Sequence, residues 1–519
     1  MTDHTEPNAV VRICAGSAGD DARATAEAAR AAADGVRVVD TGPTGVGGDA
    51  PLVLATRRGE TTFYRGCGPE RATRVVEALE GGEVEPGDAT VEHDAERRTL
   101  PVPEDGPLSV GRRRVLARCG WVDPVDAAAV DEWATDVAGD ADANDADNAN
   151  DVIELVRSVG LLGRGRGDAT PDGPIATEWD AARETDGDPV LVVNANESDR
   201  RNETDRTLVE GDPVAVLDGA LAVADLVGVE TEDIVVYLNE ADALAGDRMR
   251  AAVDSLVDAR DLDEEPQVVT GPDRYIAGEP TMALEALEGN DRLEARLRPP
   301  SPARHGLYGR PTLVHTPRTL AQVRELLLRP DNFDAGDADP GTRLVTVTGD
   351  VDAPATVELS TGGSLSSVRD AVEFAGPLKM ACVGGQFGGF TRTLEHTPSV
   401  PALAGAELGT EGVVELFDDS RCAVATAGGR SRFARDENCG RCVPCREGSK
   451  QLLNKLRGVY DGEFDDDGLR ELTRVMRTTS TCAFGSSAAR AVTTAMDQFE
   501  TEFRAHADGR CPSGACEEA

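Results

Sequence analysis

The 519-residue chain predicts a multidomain α/β protein that ends in a helical bundle. Three observations predict it. Residues 9–82 and 151–330 alternate short β-branched runs with helical stretches, the pattern of strand–helix–strand units. Residues 341–416 turn to period-two alternation, with half-buried strands at 343–348 and 355–359. From residue 430 onward apolar residues recur at helical spacing, interrupted by a loop that carries three cysteines. A chain this long exceeds one ordinary core, so several domains are expected.

In order, residues 10–14 read as a strand, 21–33 as a helix, 51–55 and 61–64 as two more strands, and 71–80 as a closing helix. That succession suggests a thioredoxin-like unit within residues 1–105. Residues 106–150 read as a connector, Gly111-Arg-Arg-Arg-Val-Leu-Ala-Arg-Cys-Gly-Trp-Val-Asp-Pro124 and a helix beyond it. Cys119 there reads as a small packed hydrophobe. The stretch 139–150 holds only Gly, Asp, Ala and Asn, with no apolar period, and reads as a solvated insert.

The unit at 151–330 starts with a helix whose face is marked by Val152, Leu155, Val156 and Val159. A glycine-rich run follows, Gly160-Leu-Leu-Gly163-Arg164-Gly165-Arg-Gly167, whose backbone N–H groups can approach a phosphate closely. A helix rather than a strand precedes it, so it is not the dinucleotide fingerprint, and alone it reads as a flexible loop. Strands at 189–193, 233–237 and 266–269 alternate with helices at 212–227 and 241–259. That makes a parallel sheet, with ligands expected at the carboxyl ends of its strands.

In the β-rich stretch, taken as 331–425, residues 365–374 read as a helix, and Cys382 and Cys422 as core or surface thiols without partners. Residues 426–508 read as a four-helix bundle, with Leu452, Leu453, Leu456, Leu469, Leu472 and Val475 setting its apolar stripes. A tail at 509–519 carries Cys511 and Cys516, which could pair as a reversible disulfide.

The strongest chemical signal is Cys439-Gly-Arg-Cys442-Val-Pro-Cys445-Arg-Glu-Gly, with Cys482 further on. Three thiols at three-residue spacing fall on one tight turn and can face one centre. Four thiolates suit a 4Fe–4S cluster or a tetrahedral zinc; the triple run with a remote fourth is the iron–sulfur habit, whereas structural zinc favours two separated pairs. Arg441, Arg446 and Lys450 stand where they would offset cluster charge.

Net charge is −42, and of 53 basic residues only Lys379, Lys450 and Lys455 are lysine. Such a field repels nucleic acid and anionic lipid, and an acidic, lysine-poor surface fits a halophilic cytosol. No apolar run approaches the ~20 residues of a membrane span. With few cysteines for its length, the chain reads as cytoplasmic, peripheral to a membrane only through partner subunits.

The stretch 437–448 and Thr481-Cys-Ala-Phe-Gly485 resemble the NADH-binding flavoprotein subunit of respiratory complex I and its relatives in soluble hydrogenases and NAD-dependent formate dehydrogenases. The resemblance runs with gaps from about residue 112 to 505. It implies FMN and a 4Fe–4S cluster as cofactors, NADH as substrate, and other electron-transfer subunits as partners. It also implies that 151–330 binds the flavin and that 331–425 is a ubiquitin-like β-grasp module. Site residues carried over are Gly163, Arg164, Gly165 and Gly167 in a flavin-phosphate loop, and Asn194, Asn196, Glu197, Tyr275, Gly278 and Glu279 around flavin and nicotinamide, with Glu197 the candidate catalytic group. Cys439, Cys442, Cys445 and Cys482 would hold the cluster.

The chain departs from the family pattern at Glu178, where the family has a lysine, at His315-Thr316, where it has paired asparagines, and at 168–171, which lacks an aromatic. Those departures predict weakened flavin binding. The N-terminal unit resembles a 2Fe–2S domain of which only Cys14 remains, with Gly19, Pro43 and Gly47 at the other ligand positions. The tail resembles a remnant of the ferredoxin extension of soluble relatives. Beside the electron-transfer enzyme stand two other readings, a relay or scaffold subunit without NADH oxidation and a structural zinc protein.

Overall fold

A computed structural model describes residues 9–16, 20–139, 146–167, 169 and 172–516. The first unit comprises β1 (Ala9–Cys14), α1 (Asp20–Ala32), β2 (Arg37–Thr41), β3 (Leu52–Arg57), β4 (Glu60–Tyr64), α2 (Pro69–Glu80) and β5 (Ala89–Glu92). Its sheet runs β2-β1-β3-β4-β5, with β1 parallel to β2 and antiparallel to β3. A parallel pair joined to an antiparallel hairpin, with α1 on α2, is the thioredoxin-like topology. The strands β2 and β5 escaped the sequence reading because both are short and carry charged residues. Cys14 is buried and its Sγ donates to the Gly120 carbonyl at 3.3 Å. Burial pushes that thiol up to about 11, so it packs as a neutral group. Gly19 lies outside the described residues.

Two helices, α3 (Ala134–Gly139) and α4 (Ala146–Val159), flank residues 140–145, which lie outside the described residues. The solvated insert expected over 139–150 is therefore too long. Its end is the first turn of α4, with Asn148 Nδ2 donating to the Ala138 carbonyl at 3.2 Å. After α5 (Ile175–Arg183) come β6 (Val190–Ala195), α6 (Thr204–Gly211), α7 (Pro213–Val227), β7 (Ile234–Asn239), α8 (Ala243–Arg260), β8 (Gln267–Gly271), α9 (Pro280–Leu287), β9 (Thr312–His315) and α10 (Pro317–Leu328). The sheet is all parallel in the order β8-β7-β6-β9. Both faces of β6 and β7 are covered, which is why they read as unbroken apolar runs. The chain reverses direction across β6, and the switch point lies at the carboxyl ends of β6 and β9.

The third sheet contains β10 (Thr342–Gly349), β11 (Ala355–Ser360), β12 (Met380–Val383) and β13 (Gly389–Thr391), then, beyond α11 (Val400–Gly405), β14 (Val413–Phe417). Its order is β11-β10-β14-β12-β13, with the first and last strands parallel at the centre, as in a β-grasp module. The helix expected at 365–374 is a short 3₁₀ turn, Leu365–Ala371. Ser364 accepts from the Ser366 N–H at 3.2 Å and its carbonyl takes the Ser367 hydroxyl at 2.9 Å, local bonds that compete with an α-helix. The connector is fastened to this sheet by the buried Glu358, whose carboxylate accepts the N–H groups of Arg114 at 2.8 Å and Leu116 at 3.1 Å.

Five helices close the chain: α12 (Ala423–Glu437), α13 (Val443–Tyr460), α14 (Asp466–Thr479), α15 (Ala483–Ser487) and α16 (Arg490–Ala507). Leu452, Leu456, Leu469, Met476, Val492, Phe499 and Phe503 share one core among them. No helix among the described residues is long and apolar enough to cross a membrane.

Candidate functional site

A cavity of about 60 Å³, opening into a cleft of about 680 Å³ that includes the solvent at its mouth, lies at the switch point of the parallel sheet. Gly163, Gly165, Asn194, Asn196, Glu197 and Gly278 all line it, together with Glu178, His315 and Thr316 from the positions that depart from the family pattern. The first turn of α10 also faces it through Arg318 and Thr319. Thr316 caps that helix, and the N–H groups around this end are taken within the protein: Gly163 donates to the Gly173 carbonyl at 2.8 Å, Gly165 to Asp172 Oδ1 at 2.9 Å, and Arg318 to Asp205 Oδ1 at 3.1 Å. At the other end Asn194 Nδ2 donates to the Gly278 carbonyl at 3.0 Å. A Cβ on Gly278 would stand 2.7 Å from the Asn196 carbonyl and 2.8 Å from Arg166 Nη1, so only glycine leaves that wall open. Arg166 and Arg318 on the lining give an anionic tail its cations, and the strand-end amides Asn194 and Asn196 give a ring edge its polar groups, the features that fit FMN.

Arg164, Gly167 and Glu279 stand elsewhere, and Glu197 is engaged by a helix start. Arg164 turns away from the cavity into a buried ion pair with Asp339 at 2.7 Å, its Nη2 donating to the Pro340 carbonyl at 2.9 Å. Gly167 packs against the backbone of Thr410 and Glu411 and lines a different cleft. Glu279 caps α9, accepting from the N–H groups of Thr281 at 2.8 Å and Met282 at 2.9 Å. Glu197 lines the cavity, but its two oxygens accept from Thr204 Oγ1 at 2.9 Å, Asp205 N at 3.0 Å and Arg206 N at 2.9 Å, which caps α6. Both glutamates are buried where a helix start needs an acceptor.

Two arginines that the sequence reading passed over supply the cavity's cations. Arg166 stacks 4.3 Å over the Tyr275 ring, its Nη1 donating to Ser198 Oγ at 2.8 Å and the Tyr275 carbonyl at 2.9 Å. Arg318 pairs with Asp205 at 3.2 Å. Burial pushes the Asp205 carboxyl up to about 7, against the pull of Arg318. Packed surroundings push the Glu178 carboxyl upward too, although it keeps access to solvent that screens the effect. His315 is buried and takes the Trp179 indole N–H on Nε2 at 2.9 Å. A histidine beside a tryptophan that is distant in sequence gave no signal in the sequence.

Behind the cavity the Tyr275 ring sits edge-to-face with Phe433 at 4.8 Å and Phe484 at 6.0 Å, and Phe387 meets Phe484 at 4.8 Å. Phe433 belongs to α12, which leads to Cys439, and Phe484 lies just past Cys482. Cys442 caps α13, Cys445 lies in its first turn, and Cys482 caps α15, so two helix N-termini point at the thiols. Burial and the neighbouring Cys442, Cys482 and Cys439 together drive the Cys445 thiol far up. Burial opposes ionisation of Cys442 also, yet N–H donors from Thr481 and Cys445 outweigh it and bring that thiol down. A buried thiol crowded by three others is a donor set that suits a bound cluster. Of the three basic residues beside it, Arg446 and Lys450 pair with Glu447 at 3.0 and 3.1 Å, and Arg441 donates to the Ala295 carbonyl at 2.7 Å. They brace the loop rather than face its centre.

A parallel sheet with a polar cleft at its switch point, set beside a four-cysteine helical bundle, defines a flavin and iron–sulfur type of protein. The Nuo51 FMN-binding domain model matches residues 156–325, and the NADH-ubiquinone oxidoreductase-F iron–sulfur binding region matches 426–506. The F 2 subunit of NADH-quinone oxidoreductase from Rhizobium meliloti (strain 1021) is 32% identical over 395 residues, 70% of this chain and 90% of the relative. HndC, which belongs to the NADP-reducing hydrogenase of Solidesulfovibrio fructosivorans, is 29% identical over 394 residues, 70% of this chain and 78% of the relative. An NAD+-reducing [NiFe]-hydrogenase structure in the H2-reduced state superposes with a TM-score of 0.64 at 24% identity, covering 96% of this chain and 84% of that one. The chain belongs to the family of the NADH-quinone oxidoreductase F subunits.

Proposed function

We propose that this chain oxidises NADH beside FMN in the switch-point cavity and delivers electrons to a 4Fe–4S cluster on Cys439, Cys442, Cys445 and Cys482, as one subunit of a larger oxidoreductase. The observation that carries this reading is the aromatic group Tyr275, Phe387, Phe433 and Phe484, which fills the space between the cavity's Tyr275–Gly278 wall and the cysteine loop. FMN, when bound, supplies the exchange between the paired electrons of nicotinamide and the single electrons a cluster accepts. The protein's own part is positional. Gly163 and Gly165 leave room beside Arg166 and Arg318, whose charge would hold an anionic tail, Asn194 and Asn196 offer polar groups to the ring edge, and packed aromatic side chains keep water out between the two centres.

We assign residues 151–330 to flavin and nicotinamide, 331–425 to a β-grasp spacer, 426–508 to the cluster, and 1–105 to docking, with 106–150 as connector and 509–519 as tail. The setting we infer is a salt-rich cytoplasm, with electron-transfer subunits as partners. The lysine-poor charge of −42 supports it.

Anaerobically purified protein tests the reading through its iron and flavin content and through flavin bleaching by NADH. A carboxylate at Glu178 on the mouth of the cavity disfavours a phosphate dianion, so Glu178→Lys should tighten FMN binding about tenfold or more. Cluster without any flavin binding, in the wild type and the variant alike, would favour the relay-subunit reading.

A further inference from the structure

Away from the cluster, the start of α12, the end of α16 and the tail bring four further ligands together. Cys422 caps α12 and His506 lies in the last turn of α16. Cys511 and Cys516 flank a Pro-Ser-Gly-Ala loop turned by Gly514 at φ 74°, whose N–H donates to the Cys511 carbonyl at 3.1 Å. The three sulfurs and one imidazole nitrogen lie within 4.8 Å of one another. His506 Nε2 is 3.3 Å from Cys422 Sγ and 3.6 Å from Cys516 Sγ. The other ring nitrogen, Nδ1, donates to the Glu502 carbonyl at 2.7 Å, which leaves Nε2 as a lone pair aimed at the sulfurs. One lone pair cannot serve two thiols well, and Cys422 and His506 are only 2% and 3% exposed, so water does not complete the set. The expectation that Cys422 lacks partners fails here, because the tail that surrounds it is remote in sequence.

We propose that Cys422, His506, Cys511 and Cys516 bind one zinc ion that clamps the C-terminal tail onto the bundle. Size and donor type select the ion. With zinc–sulfur bonds of about 2.3 Å and zinc–nitrogen bonds of about 2.0–2.1 Å, tetrahedral ligand atoms stand roughly 3.5–4 Å apart. Two edges of the cage, at 3.3 and 3.6 Å, stand near that spacing, and its 4.8 Å limit is too tight for the sulfurs of a four-iron cube. Three thiolates and an imidazole, without a carboxylate, suit zinc over calcium or magnesium. An outer layer is in place: Ala425 N–H donates to Cys422 Sγ at 3.3 Å, and the Tyr460 hydroxyl lies 3.7 Å from Cys516 Sγ. Binding transfers thiol protons to solvent and moves no electrons. Cys422 starts α12, which ends just before Cys439, and His506 lies near the end of α16, the next helix after the α15 that Cys482 caps, so the ion ties together two helices beside the cluster loop.

The full-length protein, purified anaerobically after growth with zinc and iron, tests this by metal analysis. About one zinc beside about four irons per chain is expected. A Cys511→Ser/Cys516→Ser variant should lose the zinc, keep the iron and its brown absorption, and become protease-sensitive beyond residue 508. Cobalt(II) exchanged into the wild type should give tetrahedral thiolate bands that this variant lacks. Wild-type protein free of zinc, iron in place of zinc at the site, a Cys511–Cys516 disulfide in the intact mass, or zinc retained by the variant would each overturn the proposal.

Discussion

His315 shows how one buried side chain couples the cavity to pH. Burial pushes its imidazole from 6.5 down to about 4, and the Trp179 indole N–H occupies the lone pair that a proton would take. Below pH 6.5 the unfolded chain binds a proton that the folded chain refuses. The stability from this group is therefore complete above the unfolded value and is lost as pH falls towards the folded one. Across that window the loss amounts to about 3 kcal/mol. His315→Gln, which can still accept from Trp179, should flatten the fall in melting temperature between pH 7.5 and pH 5; an unchanged slope would show that other groups set it. Gly163, Gly165, Gly278, Asn194 and Asn196, singled out by position in a family pattern, line the cavity, whereas Gly167 lines another cleft, and position did not tell what a side chain does. Arg164 and Gly165 are neighbours in one motif, yet one pairs with a carboxylate deep in the protein and the other faces the cavity. Glu197 and Glu279 follow the same lesson, since a carboxylate at a strand end serves whichever helix start lies nearest.

Short elements carry the most demanding geometry. In α15, a Cβ on Gly485 would stand 2.5 Å from Ser480 Oγ and 2.9 Å from the Cys445 Cβ, so the helix that presents Cys482 approaches Cys445 only because this residue is glycine. Gly485→Ala should push the two thiols apart and lower bound iron well below the wild-type content, with the helical circular dichroism retained; full iron occupancy would show that the loop relaxes freely. The long periodic elements were legible in the sequence: α7 and α8, the buried runs of β6 and β7, and the stripes of α13 and α14. What escaped were elements whose partners lie far away in the chain. The strand β9 is only Thr312–His315 and is a strand because β6 lies beside it. The turn at Leu365–Ala371 lost to serine side chains that hydrogen-bond locally, and α4 gained a turn from residues with no apolar period.

At the scale of the whole molecule, charge dominates. With 95 acidic residues against 53 basic, removing salt should raise self-repulsion and lower the melting temperature steeply between molar and millimolar KCl. A melting temperature indifferent to salt would end the salt-rich reading. The thioredoxin-like unit has a different bearing on stability. Gly47 donates to the Pro354 carbonyl at 3.0 Å, Thr356 donates to the Gly45 carbonyl at 2.6 Å, and Arg112 donates to the Glu358 carbonyl at 2.6 Å. These contacts fall along β11, the outer strand of the β-grasp sheet. The thioredoxin-like unit, through Gly45 and Gly47, and the connector, through Arg112, thus cover a strand that would otherwise present open backbone groups to any neighbouring chain. Deleting residues 1–105 should cost solubility before it costs iron, with aggregates growing by strand-to-strand addition at β11, and thioflavin fluorescence of the truncated protein is the measurement that would register it. The service of the first domain is then owed to its neighbour, which it keeps from polymerising.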